Sequence, residues 1–193
     1  MKIARASLLS LEAYARERSA FRARVLEHKK PRTVHVGEHV TLLFEDELTI
    51  RYQIQEMLRI EKTFEEAGIQ DELDVYNPLV PDGSNWKATM LIEYEDIEER
   101  KHALARLQGI ENKVRVRVEG HEPVYAVADE DLERTAPEKT ASVHFLRFEL
   151  TPGMVSALKG GAALSMGVDH AQYSAAVDQI AEATRKALLA DLA

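Results

Sequence analysis

The sequence predicts an α/β protein of the α+β kind, in which helices pack on a mixed sheet behind an opening β-hairpin. Three observations lead there. Segments of period two and segments of period 3.6 alternate along the chain, the pattern of sheet and helix layers. The stretch RTVHVGEHVTLLFE at 32–45 is rich in Val, Thr and Leu around a central Gly37-Glu38, which reads as two strands joined by a two-residue, Gly-first turn pairing Val36 with His39. The chain has 193 residues, 45% of them hydrophobic and none of them cysteine, so it can bury a sizeable core without disulfides. This length fits one unit spanning residues 1–193.

Each element has its own local signal. Ser10 caps a helix expected from Leu11 to about His28, with Leu11, Tyr14, Phe21 and Val25 as its stripe and Pro31 as its stop. Residues 49–67 take helical spacing, with Gly68 placed to close the helix. DELDVYNPLVPDGSNW is a structured loop with Asn-Pro and Pro-Asp-Gly turn signals. KATMLIEY is a strand. Asp96 and Glu99 frame a capping box for a helix ending at Gly109, and NKVRVRVEG alternates as a half-exposed strand. Residues 119–141 are acidic, contain two prolines and form the candidate internal linker, with a short strand near Tyr125–Val127. SVHFLRFEL is a strong strand, followed by a short helix from Pro152 and the strand ALSMGV. Asp169 and Gln172 suggest a capping box for a last helix with the stripe Tyr173, Val177, Ile180, Thr184 and Leu188.

Composition narrows the function classes. Without cysteine there are no thiolate metal ligands, no Cys-ligated iron–sulfur cluster and no cysteine nucleophile. No apolar run nears the ~18 residues of a membrane span. The N-terminal apolar patch is too short for a signal peptide, so a cytoplasmic protein is expected. A net charge of −8, with no aromatics interleaved in a basic patch, argues against nucleic-acid binding. The charge is uneven: residues 1–33 carry nine Lys/Arg against three Glu, a net +6, so the remaining 160 residues carry −14. That N-terminal basic helix either lies on its own acidic body or that of a sister subunit, or docks an acidic partner. Homodimerisation is the commonest default for such a chain. Walker A, G-x-S-x-G, G-x-G-x-x-G and EF-hand patterns are all missing.

A few polar residues fall where a packed core does not require them. In the 49–67 helix, at about 100° per residue, Glu61 lies inside the arc of Ile50, Ile54, Met57, Leu58 and Phe64, with Gln53 near its edge. A carboxylate there is expected to be buried, and paired or metal-bound. Tyr52, Glu56 and Arg59 share the opposite sector, and Glu56–Arg59 is a good i,i+3 pair. His35 and His39, four apart, fall on opposite faces of a hairpin and are rejected as a chelate. His144 and Arg147 each put one polar head on an otherwise apolar face of their strand. His144 is either a satisfied core histidine or a ligand. His170 is either a helix-entry residue or part of a ligand crevice at a strand end. If the two strands are parallel neighbours, His144 and His170 with Glu61, or Glu56 on the same helix, and Tyr173 at the rim, form a shallow His/Glu pocket for a metal or a small anionic ligand. Its imidazole and carboxylate donors suit iron, manganese or zinc.

The segments FEDELTIRYQIQEMLRIEK, ELDVYNPLVPDG, ATMLIEY, VHFLRFELT and VDHAQY resemble, over nearly the whole chain, an uncharacterised bacterial family named domain of unknown function 3501. The family's recurring motifs fall here on Arg51, Tyr52, Gln53, Glu56, Arg59, Tyr76, Asn77, His144, Arg147 and His170, and no family mechanism assigns them roles. Its members tend to be encoded beside rubrerythrin and a Cys-rich iron–sulfur oxidoreductase subunit. The resemblance therefore implies an accessory or binding protein of a non-haem-iron redox or oxidative-stress system, with a redox protein as partner. A small metal-dependent enzyme with a His/Glu site is the alternative.

Overall fold

The computed structural model describes residues 2–131, 134–136 and 138–193. Leu132, Glu133 and Pro137, which belong to the expected linker, lie outside the described residues. Helix α1 (Leu11–Lys29) starts where the Ser10 hydroxyl accepts the Ala13 N–H at 3.2 Å. It buries only Tyr14 and Val25, so it is a surface helix. A 3-10 turn through Pro31 delivers the chain to β1 (Thr33–Val36) and β2 (Val40–Glu45). In this hairpin Val36 pairs with Val40, not His39, so the turn has three residues. Gly37 takes φ +77° there, a left-handed value that favours glycine.

Asp46 opens α2 (Glu47–Glu61) with a reciprocal capping box to Thr49. Contrary to the sequence reading, α2 stops at Glu61, where Lys62 adopts the left-handed conformation at φ 56° without a glycine. A second helix, α3 (Glu66–Tyr76), takes in the start of the span expected to be a loop, from Asp71 to Tyr76. Then come β3 (Asn85–Ile92), α4 (Ile97–Arg106) and β4 (Val114–Val118). The expected linker instead supplies β5 (Val124–Tyr125) and β6 (Val127–Ala128). They are followed by β7 (Val143–Glu149), α5 (Pro152–Lys159) and β8 (Leu164–His170). The predicted last helix is also corrected at its start. Residues from Tyr173 to Val177 form β9, hairpinned onto β8, and α6 begins only at Glu182 and ends at Leu189.

The α+β class holds, with the strands divided between two sheets. One has the order β1-β2-β3-β7-β6 and the other β5-β4-β8-β9. Every strand pair among the described residues is antiparallel, so the expected mixed sheet is replaced by two antiparallel ones. β5 and β6 flank Ala126 and carry the chain directly from one sheet to the other. One core fills the space between the sheets. Leu42, Phe44, Trp86, Met90 and Phe148 meet Val116, Leu164 and Met166, with α4, α5 and α6 contributing Leu104, Leu158 and Leu188. A second cluster lies on the other side of the larger sheet, where Ile50, Ile54 and Leu58 of α2 meet Ile69 and Leu73 of α3 and Ile3 and Leu8 of the N-terminal segment. Burying each such side chain contributes about 1.5–3 kcal/mol.

Candidate functional site

The side chains singled out on α2 face α1. Glu56 accepts hydrogen bonds from the Tyr14 hydroxyl at 2.6 Å and from Arg18 at 2.8 and 2.9 Å, with Arg59 at 3.5 Å. The Arg18 hydrogen bonds, ahead of that from Tyr14, hold the Glu56 carboxyl down at about 2. Burial, and then the same carboxylate, push the Tyr14 hydroxyl well above the ordinary phenol range. Tyr52 sits edge-on to Phe21, which is edge-on to Tyr14, and the Lys29 ammonium lies 6.0 Å from the Tyr52 ring centre. The expected Glu56–Arg59 pair is present, but the stronger partners are Tyr14 and Arg18. Sequence reading had placed these only as a stripe residue and a member of the basic run. Arg51 pairs with Glu47 and donates to the Ser7 carbonyl.

Two amide side chains hold the N-terminal segment. Asn77 accepts the Ile3 N–H at 2.7 Å and donates to the Ile3 carbonyl at 3.1 Å. Gln55 accepts the Leu9 N–H at 2.7 Å and donates back to the Leu9 carbonyl at 3.4 Å. Each amide presents the donor–acceptor pair of a neighbouring strand, so both residues act on the backbone of this chain.

The outer face of the larger sheet, roofed by α2 and the Asn77–Leu79 turn, encloses a cavity of about 290 Å³. Its walls are Leu43, Leu91, Val143 and Phe145 from the sheet with Ile50 and Leu79 above; Gln53, Thr49, Thr89, Tyr76, Lys29 and Glu45 are its polar members. Glu45 is buried, and each of its oxygens accepts one hydroxyl, Thr89 at 2.6 Å and Thr49 at 2.5 Å. Beyond Leu79 and Phe145 lies a groove that includes Lys87 and Arg147. There Arg147 makes a two-pronged pair with Glu130 and a further pair with Glu149, and both carboxyls lie below their ordinary range. Direct bonds from Arg147 are the main cause at Glu130. At Glu149 opposing burial is overcome by bonds from Ser84, Arg147 and Asn85.

The structure does not assemble the His144–His170–Glu61 constellation. His144 is on β7 of one sheet and His170 on β8 of the other, so the two strands are not parallel neighbours. His144 is fully buried, with Nδ1 2.6 Å from Asp129 and Nε2 2.9 Å from the Thr140 hydroxyl and 3.1 Å from the Ala141 carbonyl. Asp129, at φ 50°, also accepts the Phe145 N–H and pairs with Arg134. This is the satisfied core histidine. His170 lies at the end of its strand, where Nε2 is 3.1 Å from the Gln108 carbonyl and Nδ1 accepts the Gln172 N–H. Glu61 is exposed at the end of α2, against the expectation that it is buried. The Tyr173 hydroxyl donates to the Val36 carbonyl at 2.6 Å and accepts the His39 N–H at 3.1 Å, pinning the hairpin turn. His35 meets Thr41, and His39 stacks on Tyr94. Among the described residues no three His, Asp or Glu side chains are gathered to hold a metal ion. No helix among them is long and apolar enough to cross a membrane.

These features define an α+β protein of two antiparallel sheets whose helical layer encloses a small cavity on the larger one. The family model described as protein of unknown function (DUF3501) matches residues 2–192, and the chain belongs to that family. It is also similar, at 58% identity over 100% of each chain and with a TM-score of 0.95, to a crystal structure from Burkholderia pseudomallei K96243 described as a novel protein of unknown function. Among curated proteins there is no significant match.

Proposed function

We propose that the chain is an accessory protein that docks an acidic protein partner through the outward face of α1. One observation carries this reading. Arg16, Arg22 and Arg24 are exposed on that helix and form no ion pair within 4.0 Å among the described residues, whereas Arg18 and Arg32 of the same basic segment are taken up by Glu56, Asp46 and Asp191. Ala15, Ser19 and Ala23 leave the helix free of bulk between those arginines, and Leu26 is 46% exposed. Glu12 and Glu17 are exposed on the same helix, with Arg16 acting on Glu12, and Glu27 is paired with Lys30, so the face is mixed in charge with a cationic excess. Such a face with a small-residue centre fits an acidic helical surface, where charge complementarity raises the association rate and fixes register. A second copy of the chain would set the same arginines against each other in a two-fold interface, so a different partner is favoured over a homodimer. The family resemblance nominates a cytoplasmic non-haem-iron redox protein of the rubrerythrin type, or the Cys-rich iron–sulfur subunit encoded beside it. The test is calorimetric titration of the untagged protein with each candidate. The expected result is binding that weakens as salt rises, and that falls at least tenfold in the variant Arg16→Glu, Arg22→Glu, Arg24→Glu with unchanged circular dichroism. Binding by neither candidate, or affinity untouched by charge reversal, would overturn the reading.

A further inference from the structure

The cavity on the outer face of the larger sheet contains a carboxylate whose charge no neighbouring cation meets directly. Glu45 is 8% exposed, and its two oxygens each accept one neutral hydroxyl, from Thr89 and Thr49. Each oxygen can accept a further donor, and no cation forms an ion pair with it among the described residues within 4.0 Å. Three cations lie in the vicinity, none within ion-pair distance among the described residues. Arg32 pairs with Asp191 and Asp46 and acts on Glu45 only through space, without a direct contact. Lys29 is drawn to the Tyr52 ring. Lys87, the cross-strand neighbour of Glu45, is under the influence of Glu130, Asp82 and Glu149. Asp191 and Asp129, less completely buried, each meet a guanidinium. Glu111, 6% exposed, is like Glu45 held by neutral donors, Asn112, Thr135 and Thr140. It is the open apolar space beside Glu45 that makes room for a ligand. A buried carboxylate held by two hydroxyls at the wall of an open apolar space has room for a cation supplied from outside.

We propose that this cavity binds a small molecule carrying a primary ammonium on a short apolar body, with the ammonium on Glu45 and the body against Leu43, Leu91, Val143 and Phe145. About 290 Å³ is the space of roughly ten water molecules, which sets the size class. An anion would face the Glu45 charge, and a neutral alcohol would add a donor and leave the charge without a cation in direct contact. The ammonium supplies both the charge and the donors that the free oxygen positions accept. The same chemistry belongs to a plain amine and to a free apolar amino acid. Lys29 at the cavity edge offers a counter-charge for the carboxylate of the second. The site is separate from the outward face of α1, so its test stands apart from partner binding.

Amide chemical shifts of the full chain, titrated with isopentylamine, leucine, isovalerate and isopentanol, provide that test. Isopentylamine or leucine, or both, are expected to shift the amides of Leu43, Thr89 and Val143 saturably, with isovalerate and isopentanol at least tenfold weaker. Leucine binding tighter than isopentylamine would assign the amino acid as the source, and the reverse order the plain amine; either supports the site. Glu45→Gln keeps the side chain's size and removes its charge, and is expected to weaken the ammonium ligands at least tenfold. Val143→Phe narrows the cavity at its exposed rim without touching the carboxylate, and is expected to weaken them as well. It decides the matter if Glu45→Gln does not fold. The proposal is overturned if neither ammonium probe binds, if isovalerate binds as well as isopentylamine, or if Val143→Phe leaves affinity unchanged.

Discussion

At the scale of single residues, Glu56 is the most consequential polar side chain of the helical layer. Its carboxyl falls from an ordinary 4.5 to about 2 because Arg18 and Tyr14 donate to the charged form. A lowered carboxyl pKa contributes stability that is present above about pH 4.5 and is lost as pH falls toward 2. The full shift converts to roughly 3 kcal/mol, and solvent screening at Arg18, which is 36% exposed, reduces the net effect to about 1–2 kcal/mol. Glu56→Gln is therefore expected to lose about 1–2 kcal/mol at pH 7. The gap from wild type, followed by urea denaturation at a series of pH values, should close as pH approaches 2. A constant gap at all pH values would show that packing, not charge, is what the substitution removes. Glu56 was visible in the sequence as half of an i,i+3 pair, because helical spacing alone brings Arg59 near. Tyr14 and Arg18 were not, since their pairing depends on how α1 crosses α2. Glu61 failed for a local reason. By angle Glu61 still falls between Met57 and Ile54, but α2 ends at Glu61 itself. Its neighbours at that end, Ile60 and Phe64, are 60% and 74% exposed, so the last turn has no packed layer beneath it and Glu61 is a helix-terminus residue in solvent.

At the scale of elements, the hairpin turn and the N-terminal segment are each held by one distant side chain or a pair of them. A Cβ on Gly37 would lie 2.4 Å from the Tyr173 hydroxyl oxygen and 2.9 Å from the Ala175 Cβ, in a backbone conformation already unfavourable to L-residues. Gly37→Ala is thus expected to cost about 2–4 kcal/mol, from the left-handed backbone and overpacking together. Tyr173→Phe, which leaves the Val36 carbonyl and His39 N–H without this partner, should cost about 1–3 kcal/mol. Because the hydroxyl is both the clasp and the obstacle, the double variant should be less destabilised than the sum, and a double-mutant cycle by thermal denaturation measures the difference. Strict additivity would mean the turn relaxes away from Tyr173. For the N-terminal segment, Asn77→Ala and Gln55→Ala should each speed amide hydrogen exchange locally, at Ile3 in the first and at Leu9 in the second. Exchange that rises equally at both sites would indicate that the segment detaches as a unit. The elements missed by sequence reading share a cause. Tyr173 and Val177 are four apart, a spacing that suits a helix face and, equally, two positions on one strand face. The left-handed Lys62, without a glycine to announce it, concealed the end of α2, so the start of α3 merges with α2 in the sequence pattern and its residues 71–76 read as loop.

At the scale of the whole molecule, the two sheets and the helical layer are tied together by few but deep polar links, and Arg32 is chief among them. The charge asymmetry of residues 1–33 was legible in the sequence. Which of those cations would be buried was not, because that requires knowing that the C-terminal helix returns to the start of the first strand. Arg32 is 3% exposed, and its guanidinium reaches Asp191 at 2.7 and 2.9 Å, the Ala187 carbonyl at 3.1 Å and Asp46 at 3.1 Å. Trp86 adds a second tie to the same helix through the Leu188 carbonyl at 2.9 Å. Arg32→Met fills most of the volume but leaves Asp191 buried without its counter-charge, and removing one partner of a buried pair costs about 3–5 kcal/mol. Replacing both, as Arg32→Met with Asp191→Leu, removes the stranded charge, leaving Asp46 with His28 at 2.5 Å as its remaining basic neighbour. The double variant is therefore expected to regain at least half of the loss. Guanidinium denaturation of the two variants and wild type gives the answer. If the double variant is no more stable than Arg32→Met, the link works through shape and the hydrogen bond to Ala187, and the charge of Asp191 is not what makes the single substitution costly.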